Sequence, residues 1–294
     1  MGKNDLQQAD IEDFFYWINE RHKIYTKRFL NKKPKPWTED KILQQYKFTN
    51  VYRQLDKGTI ALDSMLGKWF NNPTPLKDMD LDDAIDIAFN IIWYRMFNWY
   101  EHAKTIGFVS HKKHAHVLET LTALKRENKR IYTGAYMISA AGRLNSLMGK
   151  VYATFIAAEE VAEMGEKFIS FVYYNQTLEA IWEYLKELPM VGEFVAYEIV
   201  SDFRHTPLLS GASDKLTWAN IGPGAVRGLK RLSLAVAQSS MQHLLSISPE
   251  YLEPHVNIPF EMREIEHSLC EFDKYMRIKS GHGKYREGYN GVAV

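Results

Sequence analysis

The chain has 294 residues, 46% hydrophobic and 25% charged, with a formal net charge of +1. That allows one large domain or two modest ones and argues against a histone-like polycation, though local basic patches still permit nucleic acid as a partner. The lone Cys270 excludes an internal disulfide and a thiolate metal cluster, no signal-peptide core opens the sequence, and no run of about 18 apolar residues occurs, so the expectation is a cytoplasmic protein without a membrane partner.

Helical periodicity dominates from the start of the chain. Residues 10–30 have an acidic beginning and a basic end, as the helix dipole favours. The "KPKPW" segment then breaks that helix. A capped helix is expected after Thr38, and residues 49–66 are expected to continue helical. Residues 80–106 read as one long helix, with an apolar stripe through Ile85, Ala88, Phe89, Ile92 and Met96. Ser110 is the expected cap of the next helix.

Residues 130–142 read as a short strand running into a helix, and "MISAAGRLNSLMGK" (137–150) as close helix packing through small residues. A helix over 147–174 is expected to break near Gly165. Two helices flank a turn within 176–203, one helix follows the glycines at 222–224, and a last helix ends at Gly281. No repeat, low-complexity tract or Gly/Ser/Pro-rich linker divides the chain. The expected fold is mostly α: a single domain over 1–294, with two lobes as the variant.

Basic patches run over 21–35 and 274–286, and either is equally an ordinary solvated face. The turn in "LPMVGEFVAYEIVSDF" (188–203) is more specific. A Leu-Pro-x-x-Gly turn between helices resembles the helix-hairpin-helix, placed here at about 178–203. Gly192 would let the backbone approach a DNA phosphate, and the next helix would aim its first amides there. An ordinary helix corner has the same outline. The base-excision DNA glycosylases use this turn, and those that cleave the backbone place a lysine where this chain has Phe194. Their aspartate lies about twenty residues past the glycine; Asp214 is near that place, and Asp202 competes with it.

"WANIGPGAVRGLKRL" (218–232) sets Gly222-Pro223-Gly224 at the start of a helix. Free amides there make a cradle for phosphate or pyrophosphate, with Arg227 one turn in and Lys230 and Arg231 adding charge. A capped helix with a solvated basic face is the plainer alternative. No G-x-x-x-x-G-K-[ST] loop occurs in the sequence.

"YKFTNVYRQLD" (46–56), "WYRMFNW" (93–99), "LPMVGEFVAYEIVSD" (188–202), "WANIGPGAVRGLKRL" and "CEFDKY" (270–275), in this order, resemble the phage alpha-glutamyl/putrescinyl thymine pyrophosphorylases. That family includes amino acid:DNA transferases and the helical domain linked with 5-hydroxymethyluracil DNA kinases. The resemblance covers roughly residues 10–287. It implies a helical glycosylase-like fold and a reaction on double-stranded DNA carrying a modified pyrimidine. A kinase makes 5-pyrophosphoryloxymethyluracil, and the transferase replaces pyrophosphate with the amine of an amino acid or polyamine, without a cofactor.

Under that reading pyrophosphate is held by Gly222, Gly224 and Arg227, with Arg53 and Arg95 as further candidates. Asp202, Asp214, Glu271 and Asp273 are candidates for the base that deprotonates the amine, though Glu271 is also spaced to pair with Lys274. Gly192, Lys230, Arg231 and Lys274 would contact DNA. Asn50 and Asn98 would read a pyrimidine edge, and Trp218 would stack on a flipped base, although core packing explains aromatics equally well. His111, His114 and His116 lie close in sequence but lack acidic or cysteine partners in register, so no metal is expected. Two other functions compete: a monofunctional glycosylase, and a non-catalytic DNA-binding module partnering a 5-hydroxymethyluracil DNA kinase.

Overall fold

The computed structural model describes residues 3–134, 147–253 and 258–282. Every regular element among them is helical, and none of these helices is long and apolar enough to cross a membrane. The chain divides into two compact units, Lys57–Asp214 and a discontinuous one formed by Met1–Asp56 with Lys215–Val294.

The discontinuous unit holds α1 (Lys3–Tyr25), α2 (Lys41–Gln45), α11 (Pro223–Arg231), α12 (Gln238–Tyr251) and α13 (Met262–Lys279). The helices α1, α2, α11 and α12 all pack on α13. Aromatic pairs join the two chain segments: Phe14 meets Phe272 edge-on at 5.4 Å, and Phe15 stacks on Tyr251 at 4.7 Å. Glu261 and Glu264 form a capping box at the start of α13. Gly281, with φ +73°, ends it as expected, because a left-handed residue closes the last turn.

The continuous unit holds α3 (Lys57–Leu66), α4 (Leu81–Phe97), α5 (Glu101–Thr105), α6 (Ala115–Arg126), α7 (Leu147–Met164), α8 (Glu166–Tyr174), α9 (Leu178–Leu185) and α10 (Glu193–Phe203). Asp80 caps α4 by accepting the Asp82 amide at 2.9 Å. From Ala84 to Phe97 every residue of α4 is buried, so this helix is the axis of the unit, with α3, α7, α8 and α10 against it. The break at Gly165 is where the sequence suggests it, at φ +49°.

Several local expectations are corrected. Asp40, not Thr38, caps α2, because its Oδ1 accepts the amides of Ile42 (2.8 Å) and Leu43 (3.0 Å). The Thr38 hydroxyl instead donates to Glu20 at 2.7 Å. Residues 49–66 are not one helix: only a 3-10 turn, Arg53–Leu55, precedes α3. The expected long helix over 80–106 stops at Asn98, whose left-handed backbone (φ +46°) separates α4 from α5. Ser110 makes no side-chain cap and precedes a 3-10 turn, His111–Lys113, with α6 starting only at Ala115. The strand expected within 130–142 and the small-residue stretch 137–150 fall largely outside the described residues, as does the end of the 274–286 basic patch.

Candidate functional site

Pro223 opens α11 at a position where its missing N–H costs nothing, with Gly222 as the N-cap. The face of α11 against α13 carries Gly224, Ala225, Gly228 and Leu229, all buried. A Cβ on Gly224 would lie 2.2 Å from Cys270 Sγ, and one on Gly228 would lie 2.4 Å from the Leu269 carbonyl oxygen. These two glycines set how closely the helices approach. Gly224 therefore serves the close approach of α11 to α13. At Gly222 the Glu266 carboxylate sits 3.4 Å from the position a Cβ would take, which brings negative charge to the start of α11.

The close approach places arginines of α11 beside an acid of α13. Asp273 has no exposed surface. Its Oδ2 accepts from Arg227 Nε at 2.8 Å, and its Oδ1 accepts from Arg231 Nε at 2.7 Å. Arg277, one turn along α13, brings its Nε to 3.1 Å of Oδ2. The three guanidinium groups keep between 33% and 49% of their side-chain surface, so the charges reach solvent from a buried anchor. Burial pushes the Asp273 carboxyl up, but the hydrogen bonds from Arg227 and Arg231 and the charge of Arg277 outweigh it and hold the pKa below the usual value. Cys270, against Gly224, has its thiol pushed up to about 12 by burial and by the charges of Glu266 and Glu271.

The adjoining stripe of α13 carries Glu271 and Lys274, paired at 3.6 Å. Glu271 Oε2 also accepts the Thr49 amide at 3.1 Å, and Lys274 donates to the Lys47 carbonyl and lies 4.6 Å over the Phe48 ring. Thr49 Oγ1 is hydrogen-bonded to His267 Nε2. The sequence reading missed this Thr49–His267 pair; the only signal was the four-residue spacing of His267 and Glu271, which puts both on one face of α13.

Asn50 is heavily engaged. Its Oδ1 accepts from Arg21 at 2.8 Å, and its Nδ2 donates to the Leu55 carbonyl and to Asp56 Oδ1, both at 2.9 Å. Arg53 pairs with Asp56, Trp218 is buried, and Lys230 is exposed on α11.

The continuous unit collects a second group. Arg95 on α4 and Asp202 on α10 are both buried, and the pair is bidentate: Arg95 Nε meets Oδ2, and Nη2 meets Oδ1 at 2.8 Å. Arg95 also donates to Thr59 Oγ1 at 3.0 Å and to Asn98 Oδ1 at 3.1 Å. Asp214 caps α9, accepting the amides of Leu178 (2.7 Å) and Glu179 (3.0 Å).

In the turn between α9 and α10 the left-handed residue is Met190 (φ +65°). Gly192 is extended, and among the described residues no atom other than its own and its chain neighbours' lies within 4 Å of where its Cβ would be. The α10 N-terminus has no side-chain cap, and Glu193 lies in its first turn. His111 Nδ1 is bonded to Asp86 Oδ1 at 2.5 Å. Among the described residues no group of three His, Cys, Asp or Glu side chains is arranged to hold a metal ion.

Thus Arg227, Arg231, Glu271, Asp273 and Lys274 come together on α11 and α13, and Arg95, Asn98 and Asp202 come together around α4. The sequence of the chain is similar to known proteins in two respects. It is 25% identical over 300 residues to the 5-hmdU DNA kinase of Bacillus phage SP10, an alignment covering 88% of this chain and 44% of that protein. The chain therefore spans less than half the length of this relative. No solved structure matches. Residues 8–285 match the family described as the 5-hmdU DNA kinase, helical domain, and the chain belongs to that family.

Proposed function

We propose that the protein is a DNA thymine hypermodification enzyme that transfers an amine onto 5-pyrophosphoryloxymethyluracil in phage DNA. The amine lone pair attacks the exocyclic methylene carbon. The methylene C–O bond breaks, and pyrophosphate leaves with its electrons. The ammonium formed gives its surplus proton to a base or to water. Family membership supports the DNA context, since the relative's name specifies 5-hmdU DNA.

The observation that carries the reading is the Arg227–Arg231–Arg277 cluster on Asp273. A leaving pyrophosphate needs fixed positive charge, and guanidinium groups already oriented by a carboxylate supply it without reorganisation. In this role Asp273 positions the arginines. A carboxyl held ionised is a weak base toward an ammonium, so Glu271, on the adjoining stripe, is the better candidate to receive or orient the amine. An amino acid is favoured as donor over a polyamine by the surplus of cations on these helices. We further propose that α9, the turn at Gly192 and α10 act as a helix-hairpin-helix in a glycosylase-like scaffold. The open space over Gly192 supports that role, and Glu193 opposes it.

A second reading has its own support. The family is described as a domain of a kinase, and the chain matches less than half of the phage relative. A DNA-holding module serving a 5-hydroxymethyluracil DNA kinase fits both facts. One experiment separates the readings. The protein is incubated with DNA containing 5-pyrophosphoryloxymethyluracil and a mixture of amino acids and polyamines, without ATP. The DNA is digested, and its nucleosides are read by mass spectrometry. A new amine adduct supports transfer and names the donor. Unchanged base with intact DNA binding supports the module, and an abasic site supports a glycosylase.

A further inference from the structure

Residues 26–38 carry five cations, Lys27, Arg28, Lys32, Lys33 and Lys35, and no acid. The α1 helix ends in a single π turn, Thr26–Leu30, and the chain then folds back on itself. Three hydrogen bonds close the loop. Lys33 N donates to the Lys27 carbonyl, Lys27 Nζ to the Trp37 carbonyl, and Trp37 Nε1 to the Lys33 carbonyl, each at 2.8 Å. The loop is a built platform, and its exposed lysines stand on fixed backbone. Lys32 and Lys33 enter no ion pair with any described residue. Two acids beside the loop are engaged elsewhere, Glu20 with Lys23 and Thr38, and Asp40 with the α2 amides and the Tyr275 hydroxyl, while Glu39, next to Thr38, is exposed.

Beside this platform lies a cavity of about 270 Å³. Its walls are apolar: Ile24, Leu43, Pro36 and the ring of Trp37. Thr38 and Gln44 are the polar residues of the lining, with the Gln44 amide nitrogen donating to the Thr38 carbonyl at 2.6 Å so that its oxygen is the group left to face a ligand, and Lys35 is at the margin. Two cations approach the Trp37 ring, Arg28 at 5.1 Å and Lys35 at 5.3 Å. An aromatic slot with one amide and a cationic margin suits a flat heterocycle attached to a phosphate. That volume falls just below the usual small-molecule range, as one unstacked base requires. Backbone-tracking cations combined with an aromatic face are the recurrent means of holding single-stranded nucleic acid.

We infer that the Lys27–Trp37 loop is a nucleic-acid contact, with Lys32, Lys33 and Lys35 on consecutive phosphates and Trp37 stacking on an unstacked base in the adjoining cavity. The inference shares with the proposed function the premise that DNA is the partner, and it is independent of the chemistry done there.

The test uses the full chain with two fluorescein-labelled oligonucleotides of equal length, one of thymidines and one abasic with the same phosphates. Anisotropy is measured over a salt series. The thymidine strand is expected to bind at least about fivefold tighter than the abasic strand and to quench tryptophan emission, because stacking needs the base. The K32Q/K33Q/K35Q variant alters only exposed side chains. It is expected to bind about tenfold more weakly and to flatten the log–log salt dependence by about 0.7 for each phosphate that is no longer neutralised. Trp37→Phe keeps a ring in the slot but loses the bond to the Lys33 carbonyl, and it is expected to lose the quench while still binding the thymidine strand tighter than the abasic one. Equal binding of both strands, an unaltered salt slope in the triple variant, or equal competition by polyglutamate would overturn the inference. Binding through this loop without amine transfer would count against the transferase reading alone. Amine transfer with wild-type affinity in the triple variant would count against the loop alone.

Discussion

Arg227 on α11 donates its Nε–H to Asp273 on α13 at 2.8 Å, and Asp273 is wholly buried while Arg227 keeps about half its surface. A carboxylate with no access to water and three guanidinium partners is a framework charge. Removing it leaves arginines that can return to solvent, so the loss is smaller than for a fully interior pair. Asp273→Asn is expected to destabilise the fold by about 2 kcal/mol, the range for hydrogen bonds to charged groups, as measured by urea unfolding. It is also expected to weaken pyrophosphate inhibition of amine transfer.

The pH dependence follows from the same residue. Its folded pKa is lowered. Its stabilisation is therefore complete above the ordinary carboxylate pKa of about 4 and is lost as pH falls through the lower folded value. Melting temperatures of wild type and Asp273→Asn are expected to converge across that acid window. A constant gap down to the lowest measurable pH would contradict the arrangement.

Gly224 and Gly228 face different obstacles. A methyl on Gly224 meets the Cys270 side chain, whereas one on Gly228 meets the Leu269 backbone. Each alanine substitution is expected to cost at least about 1–3 kcal/mol, and Gly228→Ala the more, because backbone cannot rotate away. Cys270→Ala is expected to recover part of the Gly224→Ala loss and none of the Gly228→Ala loss, which a double-mutant cycle reads directly.

Arg95 and Asp202 form a two-point contact in the buried centre of the continuous unit. Arg95→Met is expected to cost about 3–5 kcal/mol, because it strands a buried carboxylate. Arg95→Lys is expected to recover little, since an ammonium cannot reach Asp202, Thr59 and Asn98 together. Denaturant titration of the three proteins gives the comparison.

Cys270 is expected to resist alkylation in the native state. A thiol pKa of about 12 leaves roughly a thousandfold less thiolate at pH 8 than an ordinary thiol has. The rate of iodoacetamide labelling, native against urea-unfolded, measures this.

Local signals were legible where a residue and its partner are close in sequence. The break at Gly165, the end at Gly281 and the acidic start of α4 depend on the chain within a turn of themselves. Thr38 and Asp40 show the limit: both are good caps, and Glu20, on another helix, takes the Thr38 hydroxyl. Asn98 ended a helix that periodicity would have carried on, because the left-handed turn leaves no hydrophobic signature. The glycines at 222–224 were readable as a helix start. That Gly224 faces Cys270 was not, since the approach depends on how two distant segments dock. Asp273 and Arg227 were both candidates from the sequence, but only the docking of α11 on α13 shows them bonded to each other.

The discontinuous unit closes on contacts such as the Tyr275 hydroxyl to Asp40, 235 positions apart. A ribosome adds about 5–20 residues per second. The first helices therefore emerge well before α13 exists, on the order of ten seconds or more. During that time Phe14 and Phe15 on α1 lack Phe272 and Tyr251, the aromatic partners that cover them in the finished fold. The stretch Lys57–Asp214 has all its own contacts by then and can condense first. Nascent chains truncated near residue 214 should thus carry a protease-resistant middle behind an N-terminal segment that chaperones hold until the last helix is made.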